Sequence, residues 1–249
     1  MQILSPDSLE IKSSLKDGIV TNTIAVKPGM TAEIFDDGTN CCTNDISLGE
    51  NAHLKHYKFQ DKTDVSTQTT VTQMAGSSYY YFLMQKNGKD EISVNLEAEN
   101  ADAKIMSAYG IHENSSIYFS TNVNHLHPFT TSEQLVKGVA DGESKGSFDG
   151  NIYIAKDAIK TEGHLLHKAI LLNEKAEVYA KPELKIFADD VKCSHGVAIG
   201  QLDKEQIFYM QSRGISYDDA RQILVDAYLD EVIETIDNLE IKEWIKAHV

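Results

Sequence analysis

One small theme recurs along this chain: a turn-forming cluster, then a small residue, then an apolar one. It stands at Gly29-Met30-Thr31-Ala32-Glu33-Ile34, at Gly49-Glu50-Asn51-Ala52-His53-Leu54, at Asn100-Ala101-Asp102-Ala103-Lys104-Ile105 and at Asn173-Glu174-Lys175-Ala176-Glu177-Val178. Short stretches of period-two alternation, such as Ala52 to Tyr57, Ile152-Tyr153-Ile154 and Val178 to Phe187, read as strands. Ala32 and Ala52 set a spacing of roughly 20 residues, and the later recurrences fit similar units with insertions, as when strands and turns wind into stacked coils. The favoured architecture for residues 1–200 is therefore mainly β, a β-solenoid (β-helix). A β-sandwich, which also strings short strands between Gly and Asn turns, stands nearly level with it on pattern alone. Neither a calcium-binding nonapeptide nor a strict hexapeptide repeat is present to decide between them.

The period changes after Gly200, so residues 201–249 read as a small α-helical domain. Asp203 with Gln206 at the third position suggests a capping box, and Ile207, Phe208 and Met210 lead to Gly214 as a stop. A second helix opens at Ser216, with Asp218 and Asp219 where the helix dipole favours negative charge. Its Ala220, Ile223, Leu224, Ala227 and Tyr228 form one apolar stripe that needs a partner surface. A third helix lies within Asn238 to Val249, with Leu239, Ile241, Trp244 and Ile245 as its apolar residues.

Charge narrows the function. Lys plus Arg total 23 against 38 Asp plus Glu, a net charge of −15, which disfavours a surface built on phosphate neutralisation, whether of nucleic acid or of an anionic membrane. No apolar run approaches a membrane span, and Met1 to Val20 lacks the layout of a signal peptide. Three cysteines, two of them adjacent, suit a reducing compartment, so the expected location is cytoplasmic.

The densest chemical cluster is Lys192-Cys193-Ser194-His195-Gly196. On a strand, residues two apart share a face, so Cys193 and His195 make a credible half of an iron or zinc site. The plainer reading is a small buried thiol and a hydrogen-bonded rim histidine. His167 precedes Cys193 by about one coil, which would place a cluster of His167, Cys193 and His195 on neighbouring rungs, still short of a full ligand set. His164 is a weaker companion, better read as a solvated loop residue. Cys41 and Cys42, adjacent on a strand, should point to opposite faces and should not share a metal with Cys193. Asp189-Asp190 reads as a solvated turn, and His125 with His127 as surface or satisfied histidines. No phosphate-binding glycine loop, nucleophile elbow or zinc-protease helix is present.

The stretch Leu184 to Gly196, which ends in Asp189-Asp190-Val191-Lys192-Cys193-Ser194-His195-Gly196, continues through Gly200-Gln201-Leu202-Asp203 and Gln206 to Ile215. Together these closely resemble the C-terminal signature of the SufB/SufD family, scaffold components of the Suf iron–sulfur cluster assembly machinery. The Cys-Ser-His run is nearest to the SufD version. The resemblance is specific from about Phe148 to Ile236 and weaker before. It implies a right-handed parallel β-helix that dimerises through its end, either with itself or with a SufB-type homologue. A helical domain should dock the SufC ATPase, for which Phe208, Tyr209, Arg213, Ile223 and Leu224 are the candidates.

By the same resemblance, Cys193 and His195 take the role of metal or cluster ligands at the dimer interface, with His167 a further candidate at a place where SufB-type relatives carry a cysteine. The cofactor expected is a nascent, transient iron–sulfur cluster, and no nucleotide is expected on this chain. Cys41 or Cys42 falls where SufB-type chains accept sulfur, so a cysteine desulfurase system is the expected donor. Two departures stand out: the long N-terminal helical extension is missing, and Val197-Ala198 replaces the usual Ala-Thr. The leading expectation is a non-enzymatic scaffold whose ATP chemistry belongs to SufC. The alternatives are a β-helix carbohydrate-active enzyme, which requires two carboxylates on one face of a rung, and a purely structural partner whose Cys193 and His195 never touch metal.

Overall fold

A computed structural model describes residues 2–249 and decides between solenoid and sandwich. Met1, the first residue of the expected β-domain, lies outside the described residues. One eight-stranded sheet takes β1 (Gln2–Ile3), β4 (Thr31–Asp36), β6 (His53–Gln60), β8 (Ser78–Gln85), β10 (Asp102–Ile111), β12 (Thr131–Ala140), β14 (Glu162–Leu171) and β16 (Lys192–Gly200). The other takes β2 (Leu9–Lys16), β3 (Ile19–Val26), β5 (Cys42–Leu48), β7 (Ser66–Gln73), β9 (Gly88–Leu96), β11 (Ser116–His125), β13 (Lys145–Ile154) and β15 (Glu177–Ile186). Consecutive strands alternate between the sheets from β3 onward, and coil stacks on coil in parallel register. Among the described residues only β1 and β2, at the start, pair antiparallel. A sandwich of antiparallel hairpins cannot give this order; the fold is a β-solenoid.

The repeat is regular in geometry and irregular in length. Asn22 opposes Asn44, 22 residues on, whereas Glu162 opposes Lys192, 30 residues on. Strands grow from six residues in β4 to ten in β10 and most of those after it, so the solenoid widens toward its C-terminal end. What stays constant is the corner before each strand of the first sheet. Gly29, Asn51, Gly76, Asn100, Phe129, Lys160 and Asp190 each lie two residues before such a strand, and all have φ between 52° and 68°. The left-handed conformation suits Gly and Asn at the first four corners and is costly for Phe129 and Lys160. Most of these residues hand their backbone N–H to the next coil's corner: Gly29 to Glu50, Asn51 to Ala75, Gly76 to Glu99, Phe129 to Ile159 and Lys160 to Asp190.

Inside, one register position forms an aliphatic column through seven strands: Ile24, Ile46, Val71, Val94, Val123, Ile152 and Leu184. All but Leu184 are buried, and each buried side chain contributes about 1.5–3 kcal/mol. The two outer faces differ. The second sheet turns polar residues such as Thr70, Ser93, Asn122 and Asn151 outward, so it can be called the bare sheet. The first sheet is apolar on both faces, with Phe35, Tyr57, Phe59, Phe82, Met84 and Met106 buried on its outer side. It is covered by the helices.

Those helices are α1 (Lys204–Ser212), α2 (Tyr217–Ile233) and α3 (Leu239–Lys246). Asp203, Ser216 and Asn238 cap them by accepting the backbone N–H of Glu205, Asp219 and Ile241. The first of these caps reaches Glu205, not the Gln206 of a capping box. The face of α2 that meets the sheet also differs from the expected stripe. Leu229, Val232 and Ile233 are buried there with Val225 and Tyr228 beside them, while Ile223 is 47% exposed. The helix is apolar on more than one side because it touches both α1 and the sheet. Polar pins hold the helical segment to the covered sheet: Lys137 to the Tyr228 carbonyl (3.1 Å) and the Glu231 carboxylate, Arg221 to Asp141 (2.6 Å), Lys55 to Asp237 (2.9 Å) and Asn238 to Glu33 (2.9 Å). No helix among the described residues is long and apolar enough to cross a membrane.

Candidate functional site

The Cys-Ser-His run lies on β16, the last strand of the covered sheet. Register with β14 sets Cys193 against Gly163, His195 against Leu165 and Val197 against His167, on the face that elsewhere lines the core. Here that face is unfinished. Cys193 is half-buried against the end of the core, His195 is exposed, and Val197 and Ile199 are 41% and 40% exposed. The thiol lies beside Gly163, where a Cβ would meet Sγ at an ordinary contact distance of 3.5 Å. Burial pushes the Cys193 thiol up, and the Gly163 backbone partly offsets this. Same-face placement of Cys193 and His195 is thus as expected.

The expected three-residue cluster is not formed. His167 is on the neighbouring strand, but its partner is Val197, four residues beyond Cys193. At about 3.3 Å per residue this separates the two by roughly 13 Å along the strand. Glu162 to Lys192 makes the coil 30 residues long at this level, so the shorter spacing from His167 to Cys193 stops before a full turn. His195 is the nearer companion: offset by two residues on adjacent strands, its Cα is roughly 8 Å from that of His167. His167 is fully buried, 3.1 Å through Nε2 from the Tyr109 hydroxyl, and burial pushes its pKa down to about 4, so it is neutral. His164 faces the other way and bonds Ser194 (2.8 Å). Among the described residues no three His, Cys, Asp or Glu side chains are grouped to hold a metal ion, and all three cysteines are free.

At the narrow end only Cys42 of the adjacent cysteines lies on a strand; Cys41 stands just before β5, and the two differ in burial. Cys41 is half-exposed: the Ser66 backbone N–H donates to its sulfur (3.4 Å), and its thiol donates to the Asp64 carbonyl (3.3 Å). Cys42 is buried on β5 beside the Asp36 carboxylate (4.0 Å), with the Asn44 amide donating to its sulfur (3.6 Å). Burial first, then the Asp36 charge, push its thiol up to about 11. A cavity of about 230 Å³, lined by Ser13, Asn22, Asp36, Asn40 and Cys42 among others, leads from solvent to this sulfur.

Behind the cavity lies a polar interior that sequence reasoning missed. Lys58 and Asp90 form a fully buried ion pair shared with Thr67, and the Tyr81 hydroxyl donates to Asp90 (2.9 Å). His56 is buried beside Tyr79 (2.9 Å) and pushed down to about 4 by burial. The signal was present as Leu54, His56, Lys58 and Gln60, alternate residues of one strand that all face inward.

The other singled-out residues are structural. Asp190 occupies a corner and pairs with Lys160, as a solvated turn should. His125 is satisfied by Thr130 and Ser132, both at 2.8 Å, whereas His127 lies past the strand end and is exposed. On the helical side Phe208 and Tyr209 are 73% and 59% exposed, and the Arg213 guanidinium donates to the Tyr209 hydroxyl (2.9 Å). With Met210 and Leu224 the two aromatics line an open groove of about 900 Å³ between α1 and α2.

Comparison with known proteins places this geometry. Residues 21–228 match the family model described as the SufBD core domain of the SUF system for FeS cluster assembly. The iron–sulfur cluster assembly protein SufD of Escherichia coli is 33% identical over 210 residues, covering 82% of this chain and 50% of its own length. The chloroplastic protein ABCI7 of Arabidopsis thaliana is 34% identical over 218 residues, covering 82% and 45% respectively. A SufBD family protein of Synechocystis is 33% identical over 205 residues, covering 79% and 45%. The chain spans about half the length of these relatives.

Proposed function

The chain belongs to the SufBD family of iron–sulfur cluster assembly proteins, and from that premise we propose that it is a non-enzymatic scaffold on which a nascent cluster is held at the wide end of the solenoid. The observation that carries this reading is the unfinished last rung. β16 presents Cys193 and His195 on a core-type face that is left partly exposed, and among the described residues its edge, like that of β15, has no further strand paired to it. Unpaired strand edges invite another chain. A second solenoid, either another copy or a SufB-type homologue, would close the core and add the ligands that one chain lacks, because two borderline-soft donors do not fill a site for iron. His167, one rung inside, is the third candidate ligand.

Residues 1–200 are the scaffold in this reading, and residues 201–249 dock the SufC ATPase through Phe208, Tyr209 and Leu224 of the groove, with Arg213 and Ile223 as further candidates. ATP is handled by that partner. Sulfur arrives from a cysteine desulfurase system at Cys41 or Cys42; half-exposure and an N–H donor favour Cys41, while Cys42 is reached only through its cavity. A reducing, cytoplasmic setting suits three free thiols.

Anaerobic reconstitution with iron and sulfide, followed by absorption and Mössbauer spectra, tests the ligand set. The double variant Cys193→Ala/His195→Ala should lose most of its cluster. Unchanged cluster content would remove both residues from it.

A further inference from the structure

The cavity at the narrow end sets a thiol beside a carboxylate. Asp36 ends β4 with 6% exposure and lines the cavity together with Cys42. One of its oxygens accepts the Gly38 backbone N–H (3.1 Å), and the other faces the Cys42 sulfur at 4.0 Å. Among the described residues no lysine or arginine stands within ion-pair distance of Asp36. Lys58, its neighbour across the β4–β6 register, is taken up by Asp90 and Thr67. A carboxylate buried without a cation is costly, and the cavity opens this one to a cation from solvent.

The surroundings of the thiol fix how it can react. Ser13 donates to the Asn22 side-chain oxygen (2.7 Å), Asn22 to that of Asn44 (2.8 Å), and Asn44 to the Cys42 sulfur (3.6 Å). The hydrogens of this relay all point inward, so the sulfur receives an N–H on one side and its own S–H is left for Asp36. Burial and the Asp36 charge hold the thiol up to about 11, which slows its attack on uncharged reagents. A cation seated on Asp36 offsets the second of these causes. At about 230 Å³ the cavity falls below the range of about 300–1,000 Å³ that suits drug-sized ligands, so it takes only a short arm.

We propose that this cavity is a modification site for small cationic disulfides, those of aminothiols: Asp36 binds the ammonium group and Cys42 attacks the nearer sulfur. The bond that forms joins Cys42 Sγ to that sulfur, and the bond that breaks is the reagent's own S–S. The Cys42 sulfur is oxidised and the departing sulfur is reduced. The thiol proton passes by way of Asp36 to the departing thiolate, which leaves as a free aminothiol. Cys42 is then held in a mixed disulfide that exchange with another thiol reverses. Neither iron nor a partner chain is required, so this site stands apart from the cluster reading.

The test uses the full, reduced chain at neutral pH and two disulfides of equal arm length: cystamine, which is cationic, and bis(2-hydroxyethyl) disulfide, which is neutral. Peptide mass spectrometry reads the rate at each thiol. Cys41, whose contacts are backbone groups, is the internal standard, because the net charge of −15 draws cations to both residues alike. The preference for cystamine at Cys42 should exceed that at Cys41 roughly tenfold or more. Equal preferences in the wild type would overturn the proposal, and that comparison decides alone if a variant does not fold. Asp36→Asn keeps the side-chain size and removes the charge. The excess preference should vanish in it, while the neutral disulfide reacts with Cys42 no more slowly than before. An excess that survives in Asp36→Asn would reject Asp36 as the binding group. Cys41→Ser should leave the Cys42 rates unchanged, and loss of Cys42 modification in it would reject direct entry through the cavity.

Discussion

The two ends of the solenoid treat their terminal coils in opposite ways. At the narrow end antiparallel strands β1 and β2 lie across the start of the stack, and the interior behind them is polar, built on Lys58, Asp90, Asp36, Asn44 and His56. At the wide end the interior is aromatic and aliphatic, with Phe119, Phe148, Ile152 and Leu165, and the last rung is left uncapped. Buried charge is thus concentrated toward the narrow end, where β1 and β2 pair across the stack, while the edges of β15 and β16 carry no further strand among the described residues. Burying ionic groups costs desolvation, which is offset only while every partner is in place. The fully buried ion pair lies toward the narrow end and not at the open one.

Breaking the ion pair should therefore have the largest effect. Lys58→Ala leaves Asp90 buried without its partner and is expected to cost about 3–5 kcal/mol in urea unfolding. Cys193→Ala, at the half-buried rung of the other end, should cost about 1 kcal/mol or less. Equal losses would show that the two interiors do not differ as described.

Acid should act next, and at both ends. His56, His125 and His167 are buried with pKa values of about 4, below the value near 6.5 of an exposed imidazole. Between those values the unfolded chain binds more protons than the folded one. Stability is therefore full above about pH 6.5 and falls as pH drops toward 4, by about 3 kcal/mol per ring at the lower limit. Urea midpoints measured from pH 7.5 to 4 should fall steeply, and His125→Gln should flatten the curve. A flat wild-type profile would contradict the burial of these rings.

Gly138→Ala forces a methyl into the Tyr109 ring and should cost about 1–3 kcal/mol, whereas Gly200→Ala, with open space around it, should be close to neutral. The thiols offer a finer contrast. Pushing a thiol up to about 11 lowers its thiolate fraction on the order of a hundredfold, so iodoacetamide should label Cys41 well before Cys42 at pH 8, as read by peptide mass spectrometry. Matching rates would show that the narrow-end cavity does not restrain Cys42. The smallest effect expected is a gain: Phe129→Gly relieves a left-handed corner and should add up to about 1 kcal/mol.

Much of this architecture was legible in the chain because its markers are local. Turn clusters before short alternating runs pointed to stacked strands, and Asp203, Ser216 and Asn238 marked helix starts that the structure keeps. What failed was anything that needed the coil length. The 26-residue spacing between His167 and Cys193 looked like about one turn because units of roughly 20 residues with insertions leave the coil length open, but from Glu162 to Lys192 the coil takes 30 residues. Lys58 and Asp90 are 32 residues apart on different sheets, and no local pattern says that both point into the same space. The α2 stripe misled for a related reason: a helix with two apolar sides does not announce which one meets the sheet.

The column of left-handed corners has a consequence for how such a chain can change. Because each corner stands at the same distance before its strand, and most pass a backbone hydrogen bond to the next, a coil matched in length to its neighbours is a unit that can be repeated between them. Adding or deleting one moves the ends apart or together by a single strand spacing, about 4.8 Å, and leaves both end structures as they were. The axial separation between Cys42 and Cys193 is therefore adjustable only in whole steps, so the solenoid acts as a ruler with fixed graduations.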